Sequence, residues 1–286
     1  MTVHEAAATA RRLLRPAMGD DADACARWLL MAALETDLAG YVARMREPMP
    51  PGQYALLEDM TARCVRGEPL QHVLGWWEFD GLRLRTDRRA LIPRPETEGL
   101  VRKALELAAG RQPLCVIDVG CGTGCVGLAF AARRPDADVT LCDISGEALE
   151  LAAENAAQLG IPVRLLRADM NKPLPGAPYD LIVSNPPYIA SGAIDALAPA
   201  VCEYEPRIAL DGGPDGLNAY RALAARFRDS LAPGGWIVLE IGAGQADAVC
   251  ALLAPGSMGM ERQKDLEGTL RVVAARRSLK EGYVYD

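Results

Sequence analysis

The stretch VIDVGCGTGCVGLAF, residues 116–130, decides the fold. Val116–Val119 is a short apolar run, and Gly120, Gly122 and Gly124 follow at alternate positions before apolar residues resume at helical spacing. That order predicts a strand, a glycine turn and a helix, with glycine freeing the backbone to turn and to approach a ligand closely. A nucleotide-like ligand would then lie against the helix N-terminus. The pattern can be divided in two ways. Gly122-x-Gly124-x-x-Gly127 fits a dinucleotide fingerprint, whereas Asp118-x-Gly120-x-Gly122-x-Gly124 fits S-adenosylmethionine binding, in which there is no pyrophosphate. Cys121 and Thr123 complete the turn.

Outward from this turn, strands and helices alternate as in a doubly wound parallel sheet. Strands are expected at 114–119, 139–143, 163–167, 180–184 and 236–241, with two short ones at 261–264 and 270–274 and a frayed end over EGYVYD, residues 281–286. Asp143 closes the second strand, 19 residues after Gly124, where a carboxylate can accept from ribose hydroxyls or cap the helix expected over 145–156. Asp169 and Met170 end the third strand, either holding an adenine ring or serving as a turn acid beside a core methionine.

LIVSNPPYI, residues 181–189, carries the chemistry. An apolar strand delivers Asn185 to the carboxyl edge of the sheet, and Pro186 and Pro187 stiffen the chain after it. Asn185 offers a side-chain oxygen, Pro186 a backbone carbonyl and Tyr188 a flat aromatic wall. Two acceptors suit a planar NH2 group, whose lone pair is delocalised. They fix it in place and stabilise positive charge as the nitrogen attacks a methyl donor. No general base is needed before transfer, which agrees with the only histidines, His4 and His72, preceding the sheet.

Before residue 76 the pattern is helical, with helices expected over 4–14, 22–35, 38–46 and 53–66, so residues 1–75 form a small bundle. MTVHEAAATARRLLRP has the Ala and Arg content of a transit peptide, but Glu5 and the apolar spacing favour a structural helix. Residues 76–92 alternate around Asp80-Gly81 as a linking hairpin, with Trp76, Trp77 and Phe79 as packing anchors, and 93–286 form the catalytic domain.

In 286 residues, a formal charge of −7 argues against clamping phosphates over the whole surface. Arg83, Arg85, Arg88 and Arg89 make a local positive stretch. The eight cysteines include no Cys-x-x-Cys pair, so no metal site is expected, and buried reduced thiols in a cytoplasmic protein fit better than disulfides. No window reads as a membrane span.

Taken together, DVGCGTG at 118–124, Asp143 and NPPY at 185–188 resemble the class I S-adenosylmethionine-dependent methyltransferases of planar amino groups. LIPRPETE at 91–98, EPRIALDGGPDGLNAYR at 205–221, PGGWIVLEIGAGQ at 233–245 and DLEGTLRVV at 265–273 sharpen the likeness to the peptide chain release factor N5-glutamine methyltransferases, the HemK or PrmC family. The resemblance implies an α/β chain: a Rossmann-like seven-stranded methyltransferase domain with an all-α N-terminal bundle that recognises the protein substrate. It implies methyl transfer to the glutamine of the Gly-Gly-Gln motif in class 1 release factors. Gly120, Cys121, Gly122, Thr123, Gly124, Asp143, Asp169, Met170 and Asn185 would bind the cofactor, and Asn185, Pro186, Pro187 and Tyr188 the glutamine. Cys121 and Met170 depart from the family's usual Thr and larger residue. RPETE, residues 94–98, favours the release-factor branch over the related enzyme acting on a ribosomal protein, while Arg94 and Glu96 receive no catalytic role. An adenine-N6 DNA methyltransferase would use the same acceptor logic, but neither a nucleic acid partner nor a stable oligomer is expected.

Overall fold

The computed structural model describes residues 1–279, so the frayed end expected over 281–286 lies outside the described residues. The chain divides into two compact units: residues 1–76 with 198–204, and residues 77–197 with the chain from 205 onward. In chain order the first five helices are α1 (Val3–Met18), α2 (Ala22–Ala33), α3 (Leu38–Ala43), α4 (Pro51–Val65) and α5 (Leu70–Leu74). The hairpin strands β1 (Trp76–Phe79) and β2 (Leu82–Arg85) follow. Then come α6 (Glu98–Leu107), β3 (Leu114–Val119), α7 (Cys125–Arg133), β4 (Ala137–Asp143), α8 (Gly146–Leu159), β5 (Arg164–Arg167) and β6 (Tyr179–Ser184). The last elements are α9 (Pro199–Cys202), α10 (Asn218–Ser230), β7 (Leu231–Glu240), α11 (Ala246–Leu253), β8 (Ser257–Lys264) and β9 (Leu270–Arg277).

In the helical unit, α1 opens with a capping box in which the Glu5 amide donates to Thr2 Oγ1 and the Thr2 amide to Glu5 Oε2. Val3, Ala6, Ala7, Ala10 and Leu14 form its buried stripe and meet Cys25, Leu29 and Leu30 of α2 and Leu57, Met60 and Cys64 of α4. Trp76 packs edge-on against Trp28, with ring centroids 5.8 Å apart. The sequence reading missed α5, because five residues between Pro69 and Gly75 are too few to display a helical period.

The second unit is built on a seven-stranded sheet of order β5-β4-β3-β6-β7-β9-β8, in which only β9 runs antiparallel to its neighbours. Alternate residues of the central strands feed opposite layers, as burial on both faces requires. Val116, Leu181 and Val183 pack with Leu100, Leu128 and Phe130, and Ile117 and Ile182 pack with Tyr220, Leu223 and Phe227. Each buried phenylalanine contributes roughly 2–3 kcal/mol by removing its ring from water. β3 has β4 on one side and β6 on the other, so the chain reverses its direction of travel across the sheet there. The crevice beyond the carboxyl ends of β3 and β6 is the place where open α/β sheets hold ligands.

Several boundaries differ from expectation for local reasons. The hairpin strands stop at Arg85, because the buried Asn155 side chain takes the Arg85 backbone, accepting from its amide at 2.7 Å and donating to its carbonyl at 3.2 Å. Asp80 (φ +52°) and Gly81 (φ +81°) make the expected tight turn with both central residues left-handed. β7 begins at Leu231, five residues early, with a register irregularity against β6 between Tyr179 and Leu181 that accommodates Pro233-Gly234-Gly235. β8 begins at Ser257, where the sequence period is too weak to mark an edge strand. The eight cysteines are all free, and Cys25, Cys64, Cys121, Cys142 and Cys250 are buried. Among the described residues no helix is long and apolar enough to cross a membrane.

Candidate functional site

The glycine turn sits on the end of β4: the amides of Gly120 and Cys121 both donate to the Cys142 carbonyl, at 2.8 and 3.0 Å. Gly120 (φ +72°) and Gly122 (φ +54°) adopt a backbone that disfavours any other residue. A Cβ at Gly120 would lie 3.8 Å from Met170 Cε, and one at Gly122 would lie 3.7 Å from Ala90 Cβ, so the turn forms a shallow cradle walled by those two residues. Gly124 and Gly127 do other work. A Cβ at Gly124 would press on Leu128 and Leu141 at 3.1 Å, and one at Gly127 would reach 2.2 Å from Leu141 Cδ2. They are packing glycines, which let α7 settle onto the sheet.

Asp143 is not the cap of the following helix; Ser145 is, its hydroxyl accepting from the Ala148 amide. The Asp143 carboxylate instead accepts from the Gly122 amide through Oδ2 (3.0 Å) and from the Ser145 amide through Oδ1 (2.9 Å). Both oxygens are thereby oriented at the cradle's rim, each with a lone pair to spare. Asp169 Oδ1 accepts from the Asn171 amide and side chain, which hold its carboxyl below the usual range. Asp118, at the end of β3, is fully buried and accepts from the Gly127 amide at 2.9 Å. Burial drives its carboxyl up to about 7, with Asp143 adding to the rise.

Across the crevice, Ser184 Oγ donates to the Val119 carbonyl at 2.5 Å, locking the end of β6 to the end of β3. Asn185 therefore emerges beside the glycine turn. Its Nδ2 donates to Thr97 Oγ1 at 3.2 Å, which leaves Oδ1 as the group free to meet a ligand. The chain after it is braced from behind. Ile189 donates to the Leu210 carbonyl and Gly212 to the Ile189 carbonyl, while Gln245 Nε2 donates to the carbonyls of Tyr188 and Gly216. Gly216 (φ +74°) has to be glycine, because a Cβ there would stand 2.3 Å from the Tyr188 oxygen.

These groups line one cavity of about 680 Å³, within the range usual for small-molecule sites. Gly120, Cys121, Gly122, Thr123, Asp143, Asp169, Met170, Asn185 and Pro187 all line it, whereas Gly124, Pro186 and Tyr188 do not. Pro186 is buried, and burial raises the Tyr188 hydroxyl above its ordinary range. The sequence reading overlooked Thr97, which only the fold brings to Asn185, and Asn155, whose Nδ2 also donates to the Thr123 carbonyl and so ties the hairpin to the glycine turn. Arg94 also lines the cavity and binds both oxygens of the buried Glu205. Within the positive stretch, Arg89 is ion-paired with Asp87 and Glu154, and Arg85 with Glu154.

The geometry agrees with what the comparisons with known proteins find. Residues 5–75 match the family model described as the PrmC N-terminal domain, and residues 100–203 match the methyltransferase small domain. A release factor glutamine methyltransferase of Bradyrhizobium diazoefficiens is 39% identical over 284 residues, covering 96% of this chain and 95% of the relative. One of Geobacter sulfurreducens is 41% identical over 250 residues, covering 87% of each. The crystal structure of a methyltransferase from Pyrococcus furiosus, 16% identical, aligns with a TM-score of 0.52 over 69% of this chain and 90% of its own, which bears on the fold alone. By its identity to these relatives over nearly its full length, the chain belongs to the release factor glutamine methyltransferase family.

Proposed function

We propose that this chain transfers a methyl group from S-adenosylmethionine to the side-chain amide nitrogen of the glutamine in the Gly-Gly-Gln motif of class 1 release factors, in the cytoplasm. The observation that carries the reading is the presentation of Asn185, with its nitrogen already committed to Thr97, in the same cavity as the glycine cradle. The residues fit the cofactor. Gly120 and Gly122 leave room for close approach, Asp143 offers lone pairs for ribose hydroxyls, Met170 supplies an apolar wall, and Asp169 stands at the edge for an adenine amino group. When bound, S-adenosylmethionine would supply an electrophilic methyl group and leave as S-adenosylhomocysteine, the methylated amide nitrogen giving up one of its two protons to solvent.

The chain's own part is positional and electrostatic. Asn185 Oδ1 accepts one hydrogen of the glutamine NH2 beside Pro187, and the Pro186 carbonyl takes the other, with Tyr188 bounding the slot, once the substrate opens the wall that keeps Pro186 and Tyr188 out of the cavity lining. The two acceptor dipoles favour a nitrogen that is pyramidal and partly positive over the flat ground-state amide, so they bind the transition state more strongly than the substrate. A carboxamide nitrogen is a poor nucleophile in water, and holding it in line with the donor supplies much of the acceleration. We assign residues 1–75 to recognition of the release factor, and the hairpin that begins at Trp76 to joining them to the catalytic domain. The test is to incubate unmethylated release factor with the protein and isotopically labelled cofactor and to map the product by mass spectrometry. A single methyl on the Gly-Gly-Gln glutamine is expected; modification elsewhere, or none, overturns the reading.

A further inference from the structure

The segment that carries Thr97 also carries a cation with no part in the chemistry proposed so far. Arg94 stands between Pro93 and Pro95 with an extended backbone (φ −101°, ψ 142°), the conformation that a following proline enforces. Its carbonyl accepts from the Thr97 amide at 3.0 Å, and Thr97 Oγ1 in turn accepts from Asn185 Nδ2 at 3.2 Å. One short 3₁₀ turn, Pro95–Thr97, therefore separates Arg94 from the contact that fixes Asn185, a rise of about 6 Å. Arg94 and Asn185 line the same cavity.

Glu205 holds the guanidinium from one side. Nη2 donates to Glu205 Oε1 at 2.7 Å and to Oε2 at 2.8 Å, while Nε and Nη1 have no partner among the described residues. The Glu205 side chain is 1% exposed and that of Arg94 34%. Taking a carboxylate so far out of water costs stability that an ion pair returns only in part, and burial raises the Glu205 carboxyl despite its partner. What the pair gains is an arginine fixed in place, with its charge already balanced and its outer edge open. A balanced pair attracts no anion. The donors left on that edge suit a neutral carbonyl oxygen, and Pro206, Ile208 and Ala209, which follow Glu205 along the cavity wall, extend an uncharged surface beside them.

We propose that Arg94 is a substrate-binding residue whose outer edge, Nε and Nη1, takes a main-chain carbonyl next to the target glutamine, and that Glu205 positions it. The proposal rests on the release-factor reading of the site. The carboxamide oxygen of the glutamine is the wrong acceptor, because a hydrogen bond there draws the nitrogen lone pair into the carbonyl and weakens its attack. A main-chain carbonyl carries no such penalty, and glycines before the glutamine leave no side chain to keep the guanidinium away. Such a contact is made equally before and during methyl transfer, so it acts on binding and leaves the chemical step alone.

Arg94→Lys separates this role from an ion pair that merely closes a loop. Lysine keeps the charge and can satisfy Glu205, but it has no planar fork to offer a carbonyl. In steady-state methylation of unmodified release factor by the full-length protein, the KM for release factor should rise about tenfold, with kcat within about threefold and cofactor Kd within about twofold of wild type. Glu205→Gln leaves the arginine but loosens its anchor, and should raise the same KM about threefold with kcat likewise held. Added to Arg94→Lys it should raise KM no further, because Glu205 acts on the substrate through Arg94. A wild-type KM in either single variant, a loss that falls on kcat, cofactor Kd moving in step with KM, or losses that add in the double variant overturns the proposal. Release factor left unmethylated by the wild-type protein overturns the site reading itself, whereas a methylating wild type matched in KM by Arg94→Lys overturns the role of Arg94 alone.

Discussion

Replacing Asp118 with Asn should remove one pH-dependent part of the stability, by an amount that the structure sets. The carboxyl is 1% exposed, and burial holds it up to about 7 against an ordinary value of 3.8. A folded state that keeps its proton more tightly than the unfolded chain is favoured by acid. The contribution is therefore complete below about pH 4 and is lost as pH rises through 7. At about 1.4 kcal/mol per unit, a displacement of about 3 units amounts to about 4 kcal/mol, of which about 2.5 kcal/mol disappears from wild type between pH 5 and 8. Asparagine has no proton to release. Its Oδ1 can still accept from the Gly127 amide, and its NH2 in place of the second oxygen adds a fixed cost of about 1–3 kcal/mol that does not change with pH. Other titrating groups, Glu240 and Glu205 among them, are common to both proteins and cancel in the difference.

The assay is thermal unfolding of the cofactor-free proteins at pH 5 and pH 8. In a domain of about 200 residues, 1 kcal/mol moves Tm by about 2–4 °C, so the gap between variant and wild type should shift in the variant's favour by about 5–10 °C across that interval. Two Tm curves that stay parallel from pH 5 to 8 would show that Asp118 is ionised normally and that its burial carries no linkage.

Three further outcomes follow from the same geometry. Asn185→Ala should lower kcat by about 10²–10³ while leaving cofactor Kd within a few-fold, as measured by single-turnover assay and calorimetry, because it removes an acceptor needed most at the transition state. Gly216→Ala should lower stability by about 2–4 kcal/mol in denaturant unfolding, through left-handed strain and a Cβ driven at the Tyr188 carbonyl, and should raise the KM for release factor. Removing residues 1–75 should weaken release factor binding by at least tenfold while changing cofactor Kd less than threefold; equal losses would make the bundle structural support only.

What the sequence displayed, and what it hid, divides along contact order. The glycine turn, Asp143 and Asn185 were legible because each lies at a strand end, where a few consecutive residues carry the signal. Gly120 and Gly124 are equivalent in spacing, yet one opens on the cavity and the other bears on Leu141, a difference decided by a strand paired beside β3. Thr97 meets Asn185 across 88 residues, Asn155 meets Arg85 across 70, and Gln245 meets the Tyr188 carbonyl across 57. No local period announces such partners.

The costs of this architecture fall where the strands end. Asp118, the last residue but one of β3, and Glu240, the last of β7, both have carboxyls held near 7 by burial, and the buried Glu205, in the loop after α9, is raised as well despite its Arg94 partner. Replacing such groups with apolar side chains of similar volume would generally stabilise a core. Their concentration at one edge of an otherwise apolar sheet therefore argues for use over support. The sheet supplies a surplus of buried aliphatic and aromatic area away from the site, and that rigidity is what allows ionisable groups and left-handed glycines to be held in fixed geometry at the crevice.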